Sequence, residues 1–380
     1  MKRIAIMIFL VLTQCITQPE PEKVPAVIYH MEGSQEAYGI TETHDGNHYI
    51  ITGWTDEGGE YYPPRCMLLK VDKEGNLVER KVFESLEWSC DAIIKAPDSN
   101  YLLRSNHYVV LIDDDLNIIS RTYIPNSTPN FVVDVFEEVN DRVFMVTSTD
   151  LGLPRGYHIY AFEQGDIIDS SSFYFDSADN VVSAVVEDTP DNLYIAGKYA
   201  SGDISGYKFV KLNSDLDSVL VNFIDVGEIF GYSAGYVKGI ERFGDGTMAI
   251  AGTVVRGFLD AFGVVFKVDT NGNLISYHSV DYSMTTFMDV TKIEGGDVVV
   301  MGSALRDGIF FTFVMRLRPD LSVVWYREFL GDFDCYIGFG SIIQDSDGNL
   351  AIAGYCAGLD DMAFMKLDAS TGEPIVWSER

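Results

Sequence analysis

The chain has 380 residues, 47% of them hydrophobic and 13% aromatic, which is material for one large domain or a few ordinary ones and excludes an intrinsically disordered protein. Its 57 acidic residues against 27 basic ones leave a formal net charge of −30, a surface that repels phosphate backbones and excludes nucleic acid as the partner.

Residues 1–15 read MKRIAIMIFLVLTQC. Lys2 and Arg3 precede an uncharged apolar run from Ile4 to Leu12. That run is shorter than the about 20 residues of a membrane helix, but it suits the apolar centre of a secretory signal peptide. Leu12-Thr13-Gln14-Cys15 resembles the lipobox of bacterial lipoproteins, in which the cysteine is acylated and becomes the new N-terminus. Gln14 departs from that family, which prefers a small residue before the cysteine. The resemblance implies a signal peptide over 1–14, lipidation of Cys15, and an exported protein anchored at the cell surface or in the periplasm. Membrane contact is then through the lipid anchor only. Ordinary signal-peptidase cleavage and an uncleaved anchor are the alternatives. Residues 15–25, rich in Pro and Glu, read as an extended tether.

Residues 26–380 are built from one recurring unit. It opens with a turn such as Asp-Gly-Asn and an alternating strand that ends near Gly. A variable loop and a second strand ending Lys-(Leu/Val)-(Asp/Asn) follow, then a second turn and an outer strand. The units run over 39–83, 91–124, 132–173, 184–224, 239–280, 290–329 and 341–380. The first reads Asp45-Gly46-Asn47 to Gly53, then Leu69-Lys70-Val71-Asp72 and Glu74-Gly75-Asn76. The second, third and fourth are weaker, with Asp98-Ser99-Asn100, Asn140-Asp141 and Asp191-Asn192 as their opening turns. The fifth has Gly244-Asp245-Gly246 and Phe266-Lys267-Val268-Asp269, and the sixth, also weaker, has Gly295-Gly296-Asp297 and Arg316-Leu317-Arg318. The last is the clearest: Asp347-Gly348-Asn349 to Gly354, then Phe364-Met365-Lys366-Leu367-Asp368, Thr371-Gly372 and Ile375-Val376-Trp377. Residues ending the first strand fall at 53, 105, 147, 197, 252, 302 and 354, a spacing of about 50 that fits one four-stranded blade with its loops. Val, Ile, Phe and Tyr fill the strands, and Gly, Asn and Asp the tight turns. The expected fold is all-β, a seven-bladed β-propeller of four-stranded antiparallel blades.

The units resemble the seven-bladed β-propeller repeat proteins and, more loosely, the PQQ-like propeller repeats, whose motif Lys366-Leu367-Asp368-Ala369-Ser370-Thr371-Gly372 with Trp377 approaches. These repeats serve scaffolds, binders and enzymes alike, so the resemblance implies a fold and no activity. Two segments compete for the closing outer strand, Val27-Ile28-Tyr29-His30 and Ile375-Val376-Trp377. The N-terminal one is favoured.

Beyond Cys15 the cysteines are Cys66, Cys90, Cys335 and Cys356. Export implies an oxidising compartment. The repeat register places all four on the face that carries the second-to-third-strand loops and the loops between blades, in contiguous blades 7, 1 and 2. The expected disulfides are Cys66–Cys90 and Cys335–Cys356. Zinc is disfavoured because there is no Cys-x-x-Cys pair and no histidine lies near a cysteine. No two cysteines are adjacent, so the vicinal disulfide of PQQ-dependent alcohol dehydrogenases cannot form.

Asp345-Ser346-Asp347-Gly348-Asn349 and Asp269-Thr270-Asn271-Gly272-Asn273 resemble the start of a calcium loop but lack its distal glutamate and flanking helices. Hairpin geometry alone asks for those residues, so no cofactor is predicted and calcium is the unfavoured alternative. Asp113-Asp114-Asp115 and Asp360-Asp361 read as solvated loops. No catalytic constellation is assigned. On the face named above the candidate ligand-binding residues are Trp54, Trp88, Lys198, Arg256, Arg306 and Tyr336, with Asp56, Asp91 and Asp334 beside them. The three cations could take a carboxylate or acidic sugar, but pairing with Asp203, Asp260 and Asp307 is the favoured reading. A very short second-to-third-strand loop at Asn106-His107 in unit 2 would open a groove beside Trp54 and Trp88. These features suggest a binding or scaffold module for a cell-envelope protein or an extracellular glycan. A polysaccharide hydrolase or lyase with its site in the central funnel is the second reading, and an outer-membrane assembly scaffold the third.

Overall fold

The computed structural model describes residues 22–23, 26–57, 64–87, 89–96, 99–105, 107–124, 135–139, 142–148, 156–163, 165–174, 179–189, 192–201, 204–213, 215–257, 260–330, 336–338, 340–357 and 360–375. They form seven antiparallel sheets that make the blades of a β-propeller. From the axis outward, blade 1 runs Gln35–Glu42, His48–Thr55, Arg65–Asp72 and Leu77–Glu87. Blade 2 runs Cys90–Ala96, Asn100–Ser105, Tyr108–Ile112 and Ile118–Tyr123. Blade 3 runs Val135–Val139, Arg142–Ser148, Gly156–Glu163 and Asp166–Tyr174. Blade 4 runs Asp179–Thr189, Asn192–Ser201, Ile204–Leu212 and Ser218–Asp225. Blade 5 runs Ser233–Arg242, Met248–Gly257, Asp260–Val268 and Leu274–Val280. Blade 6 runs Ser283–Lys292, Val298–Arg306, Ile309–Leu317 and Val323–Leu330. In blade 7 an interrupted inner strand, Tyr336–Ile337 and Ser341–Gln344, precedes Leu350–Ala357 and Asp361–Leu367.

Alternation makes each blade apolar on both faces, so the core lies in layers between neighbouring blades. Tyr207, Phe209, Ile250 and Phe266 fill the gap between blades 4 and 5. Phe287, Phe311 and Phe313 belong to the layer between 5 and 6, and Met301, Trp325 and Ile352 to that between 6 and 7. One short helix, Val226–Phe230, follows blade 4, capped by Asp225, whose side chain accepts from the Glu228 backbone N–H. Among the described residues no helix is long and apolar enough to cross a membrane.

The repeat motif now has a physical reading. Its first glycine bends the turn between the first two strands, as Gly46 does at φ 70°. Its aspartate, as at Asp72 and Asp269, caps the second turn. Asp269 Oδ1 accepts the backbone N–H groups of Asn271 and Asn273, each at 2.8 Å, and Oδ2 accepts the Asn273 amide at 2.8 Å. Burial opposes the Asp269 charge, but these bonds outweigh it and hold the carboxyl below its usual range. The residues of the calcium-like segment thus bond one another within the turn.

In units 1, 5 and 6 the motif's basic residue is a staple between blades. Lys70 Nζ donates to the Asp114 carbonyl at 2.8 Å and its carboxylate at 3.1 Å, joining blade 1 to blade 2. Lys267 bridges Asp245 of its own blade and the Pro319 carbonyl of blade 6, at 2.7 and 2.5 Å. Arg316 does the same between Asp297 and the Ala369 carbonyl of blade 7, at 2.7 and 3.0 Å. Asp361, expected in a solvated loop, is instead buried on a strand and bonded to His30 at 2.6 Å. Asp114, which accepts the Lys70 staple, is exposed in its turn as expected.

The N-terminal segment supplies the closing outer strand. Val27–Tyr29 pairs antiparallel with blade 7 in the register Val27↔Phe364 to Tyr29↔Met362. The C-terminal competitor reaches the same edge further down, where Pro374 bridges Leu367 and the Ile375 N–H donates to the Lys366 carbonyl at 3.0 Å. Glu22–Lys23 adds a parallel fifth strand to blade 6. At the other end of the closure, a charged cluster ties blade 7 to blade 1. Asp345 accepts the Tyr49 hydroxyl at 2.5 Å and Lys366 Nζ at 2.9 Å. Lys73 bonds Glu42 and lies 3.2 Å from Asp347, while Glu42 also accepts the Ser346 hydroxyl at 2.7 Å.

Candidate functional site

Loops between blades and loops joining second to third strands share one face of the ring, here the top. In blades 1 and 2 that face is cross-linked by the Cys66–Cys90 disulfide, whose Cα atoms lie 5.0 Å apart. The bond joins the third strand of blade 1 to the inner strand of blade 2. Cys356 is also disulfide-bonded. Cys15 and Cys335 lie outside the described residues.

Trp54 stands opposite Cys66 in the strand register and is half-buried. Its Nε1 donates to Glu36 at 3.2 Å and to the Tyr38 hydroxyl at 3.0 Å, and that hydroxyl donates in turn to Glu36. Burial, the hydrogen bond to Glu36 and its charge push the Tyr38 phenol well above its usual range, and Asp91 of blade 2 pushes the same way. Asp91 is held by the Arg104 guanidinium at 3.1 Å. The short loop expected in blade 2 is present, since strands end at Ser105 and resume at Tyr108. Glu36, Tyr38 and Arg104 were not singled out from sequence. A β-bulge between Ala37 and Gly39 shifts the inner strand's alternation, so simple period-two reading misplaces Glu36 and Tyr38.

The three candidate cations sit on successive blades, each with its own local partner. Lys198 lies over the Tyr236 ring at 5.6 Å, and Asp203 is outside the described residues. Arg256 bonds Asp260 at 3.0 Å, as expected, and also Asp281 at 2.9 Å. Arg306 bonds Glu328 at 2.7 Å rather than Asp307, and lies over the Phe311 and Tyr282 rings. Asp56 accepts the Ser34 N–H at 2.5 Å. Tyr336 lies on the short strand paired with Cys356 and Ala357. Trp88 and Asp334 fall outside the described residues. Among the described residues no group of His, Cys, Asp and Glu is placed to hold a metal ion.

A second ionisable group lines the axis in blades 5 to 7. Asp289 of blade 6 accepts the Ser341 hydroxyl and the Ile342 N–H of blade 7, both at 2.8 Å. Burial nevertheless pushes its carboxyl up to about 6, against those bonds and Lys238. Glu241 is raised by burial and by the Asp289 charge. Carboxyls raised in the fold bind protons more tightly there than in the unfolded chain. Their stabilisation is therefore full at acid pH and lost as pH rises through the folded values. Thermal unfolding should occur at higher temperature at pH 5 than at pH 8, and Asp289→Asn should flatten that slope. An unchanged slope in the variant would refute the assignment.

No family model matches the chain, and no curated protein matches it. Solved structures match its fold. BBS1N in complex with ARL6DN is 11% identical at TM-score 0.55, covering 93% of this chain and 99% of that one. Drosophila Plexin A in complex with Semaphorin 1b is 9% identical at TM-score 0.52, covering 91% and 88%. Extracellular domains 1–2 of Drosophila Semaphorin 1a are 9% identical at TM-score 0.55, covering 91% and 88%. At such identities the likeness is one of fold alone.

Proposed function

We propose that the chain is a protein-binding propeller of the cell envelope, exported and lipid-anchored through Cys15, which recognises its partner with the top face of blades 1 and 2. The observation that carries this reading is the Trp54–Tyr38–Glu36 cluster beside the Cys66–Cys90 disulfide. Aromatic side chains held rigid by hydrogen bonds at a loop-bearing face are the usual anchors of protein interfaces, because they bury large area with little loss of rotamer freedom. The similar folds include propellers solved in protein complexes, BBS1N with ARL6DN and Plexin A with Semaphorin 1b, which favours a protein over a glycan. Cys335 is the proposed partner of Cys356, on the same face.

The test is site-specific photo-crosslinking of the full chain in its host's membranes. A photoreactive residue replacing exposed Glu32, in the loop leading into blade 1, is expected to yield one discrete protein adduct. The same probe replacing Asn271, on the opposite face, should yield none. Trp54→Ala should reduce the adduct by at least about tenfold while the circular dichroism spectrum remains that of the folded parent, as for a central interface anchor. Equal adducts from both faces, or one indifferent to Trp54, would refute the reading. Intact mass of the same preparation tests the anchor. It should begin at Cys15 with a diacylglyceryl group attached.

A further inference from the structure

The outer strands are the open edges of the ring, and they are not guarded alike. Blade 6 is covered by Glu22–Lys23, and blade 7 is closed by Val27–Tyr29 with Pro374. The outer strand of blade 1 carries Glu79, Arg80, Lys81 and Glu84, that of blade 2 carries Arg121, and that of blade 3 carries Asp169. Such charges protect a free edge from pairing with another chain. Two outer strands have no such guard: LISYHSV of blade 5, with no Lys, Arg, Pro, Asp or Glu, and SVLVNFID of blade 4, with no Lys, Arg or Pro and no charge before Asp225. Val219, Val221 and Phe223 are 55%, 38% and 46% exposed, and no described strand pairs beyond them. Blade 5 continues the apolar rim with exposed Ile275 and Tyr277.

The two ends of this edge are acidic, while the neighbouring third strand places Lys208 over the Phe223 ring at 5.6 Å and Lys211 opposite Leu220. Asp215 and Asp217 precede the strand, and Asp225 and Glu228 follow it, in a chain of net charge −30. An apolar strand edge between acidic ends matches an extended segment that is apolar in its middle and basic at its flanks. The chain itself shows that a blade edge in this ring accepts an added strand, since Glu22–Lys23 does so on blade 6. We propose that the outer edge of blade 4, Ser218–Asp225, is a β-augmentation site for an extended, basic-flanked segment of a partner protein. Main-chain hydrogen bonds would hold the added strand, Val219, Val221 and Phe223 would pack its alternate side chains, and the acidic ends would steer it. This deepens the reading of the chain as a protein-binding module but uses a surface apart from Trp54. The Glu32 crosslink and the test below therefore fail independently.

The probe is a fluorescein-labelled peptide of six alternating Val and Thr residues flanked by two lysines at each end. Its binding to the full chain is followed by fluorescence anisotropy. Amide hydrogen exchange then locates the site. The expected result is saturable binding that weakens with salt, with new protection confined to 218–225. The double variant Val219→Lys, Val221→Lys should bind at least about tenfold more weakly, as when a charge is placed in a packed contact, with an unchanged circular dichroism spectrum. Val78→Lys on the exposed edge of blade 1 should bind as the parent does. A glutamate-flanked peptide should not bind. Equal binding by the double variant, or protection elsewhere, overturns the proposal. Dimerisation of the parent that the double variant abolishes, without peptide binding, overturns it in favour of a second copy as the occupant.

Discussion

Asp345→Ala is expected to lower folding stability by about 3–5 kcal/mol, a large share of the roughly 5–15 kcal/mol of an ordinary domain. The Asp345 side chain is fully buried, and four donors converge on it: the Tyr49 hydroxyl, Lys366 Nζ and the backbone N–H groups of Asp347 and Asn349. Removing the carboxylate strands the Lys366 ammonium, itself 5% exposed, without its main counter-charge. It also leaves a buried phenol without its acceptor. The loss falls at the junction of blades 7 and 1, where the ring is shut by the pairing of Val27–Tyr29 with blade 7 and by this cluster. Equilibrium urea unfolding gives the magnitude. Asp345→Asn should cost less, since it keeps an acceptor for the backbone donors. Adding Lys366→Met to Asp345→Ala should recover part of the loss, because the stranded charge goes with it. Burial opposes ionisation of Asp345, but the bonds from Tyr49 and Lys366 outweigh it and hold the carboxyl below its usual range. This group's stabilisation is thus present above the unfolded carboxyl value and lost as pH falls through the folded one. That is the opposite limb to the one set by Asp289 and Glu241. Parent-like stability in Asp345→Ala would show that the cluster does not hold the ring.

Gly53→Ala is expected to be nearly as severe, at about 3 kcal/mol, through overpacking against main chain. Gly53 pairs with Ala37 beside the bulge of the inner strand. A Cβ there would lie 1.8 Å from the Glu36 carbonyl oxygen and 2.5 Å from the Met362 terminal methyl. The Glu36 backbone cannot retreat without opening the pair that positions Trp54. Gly302 is the same position in blade 6, where a Cβ would meet Phe313 at 2.5 Å and the Thr286 carbonyl at 2.7 Å. Gly257 is the internal control. It is exposed with nothing within 4 Å of its Cβ position, so Gly257→Ala should stay within about 0.5 kcal/mol. Chemical denaturation of the three variants checks the order. Equal losses at 53 and 257 would refute the role given to the repeat's glycine.

Strand alternation, the Asp-Gly and Gly-Asn turns and the spacing of about 50 residues are short-range signals, set by backbone sterics and by the need to bury alternate side chains. They were enough for the seven blades, the order of strands within each and the Cys66–Cys90 pair, because each cysteine's place in its blade follows from local register. The chemistry of the top face was less legible. Arg306 was matched to its neighbour Asp307, but sheet register brings Glu328 from the outer strand to it instead. Glu36 and Tyr38 were hidden by a bulge. The staples of the Lys-(Leu/Val)-(Asp/Asn) motif point across to the next blade, so their partners lie about one repeat away and look like solvated loop residues in the linear chain. Closure is the extreme case. Glu42 and Ser346 are 304 residues apart and meet only because the angles between seven packed blades sum to a full turn. Local pattern specifies the blade, whereas that sum, which no single segment encodes, decides which termini share an edge and which charges face one another across the seam.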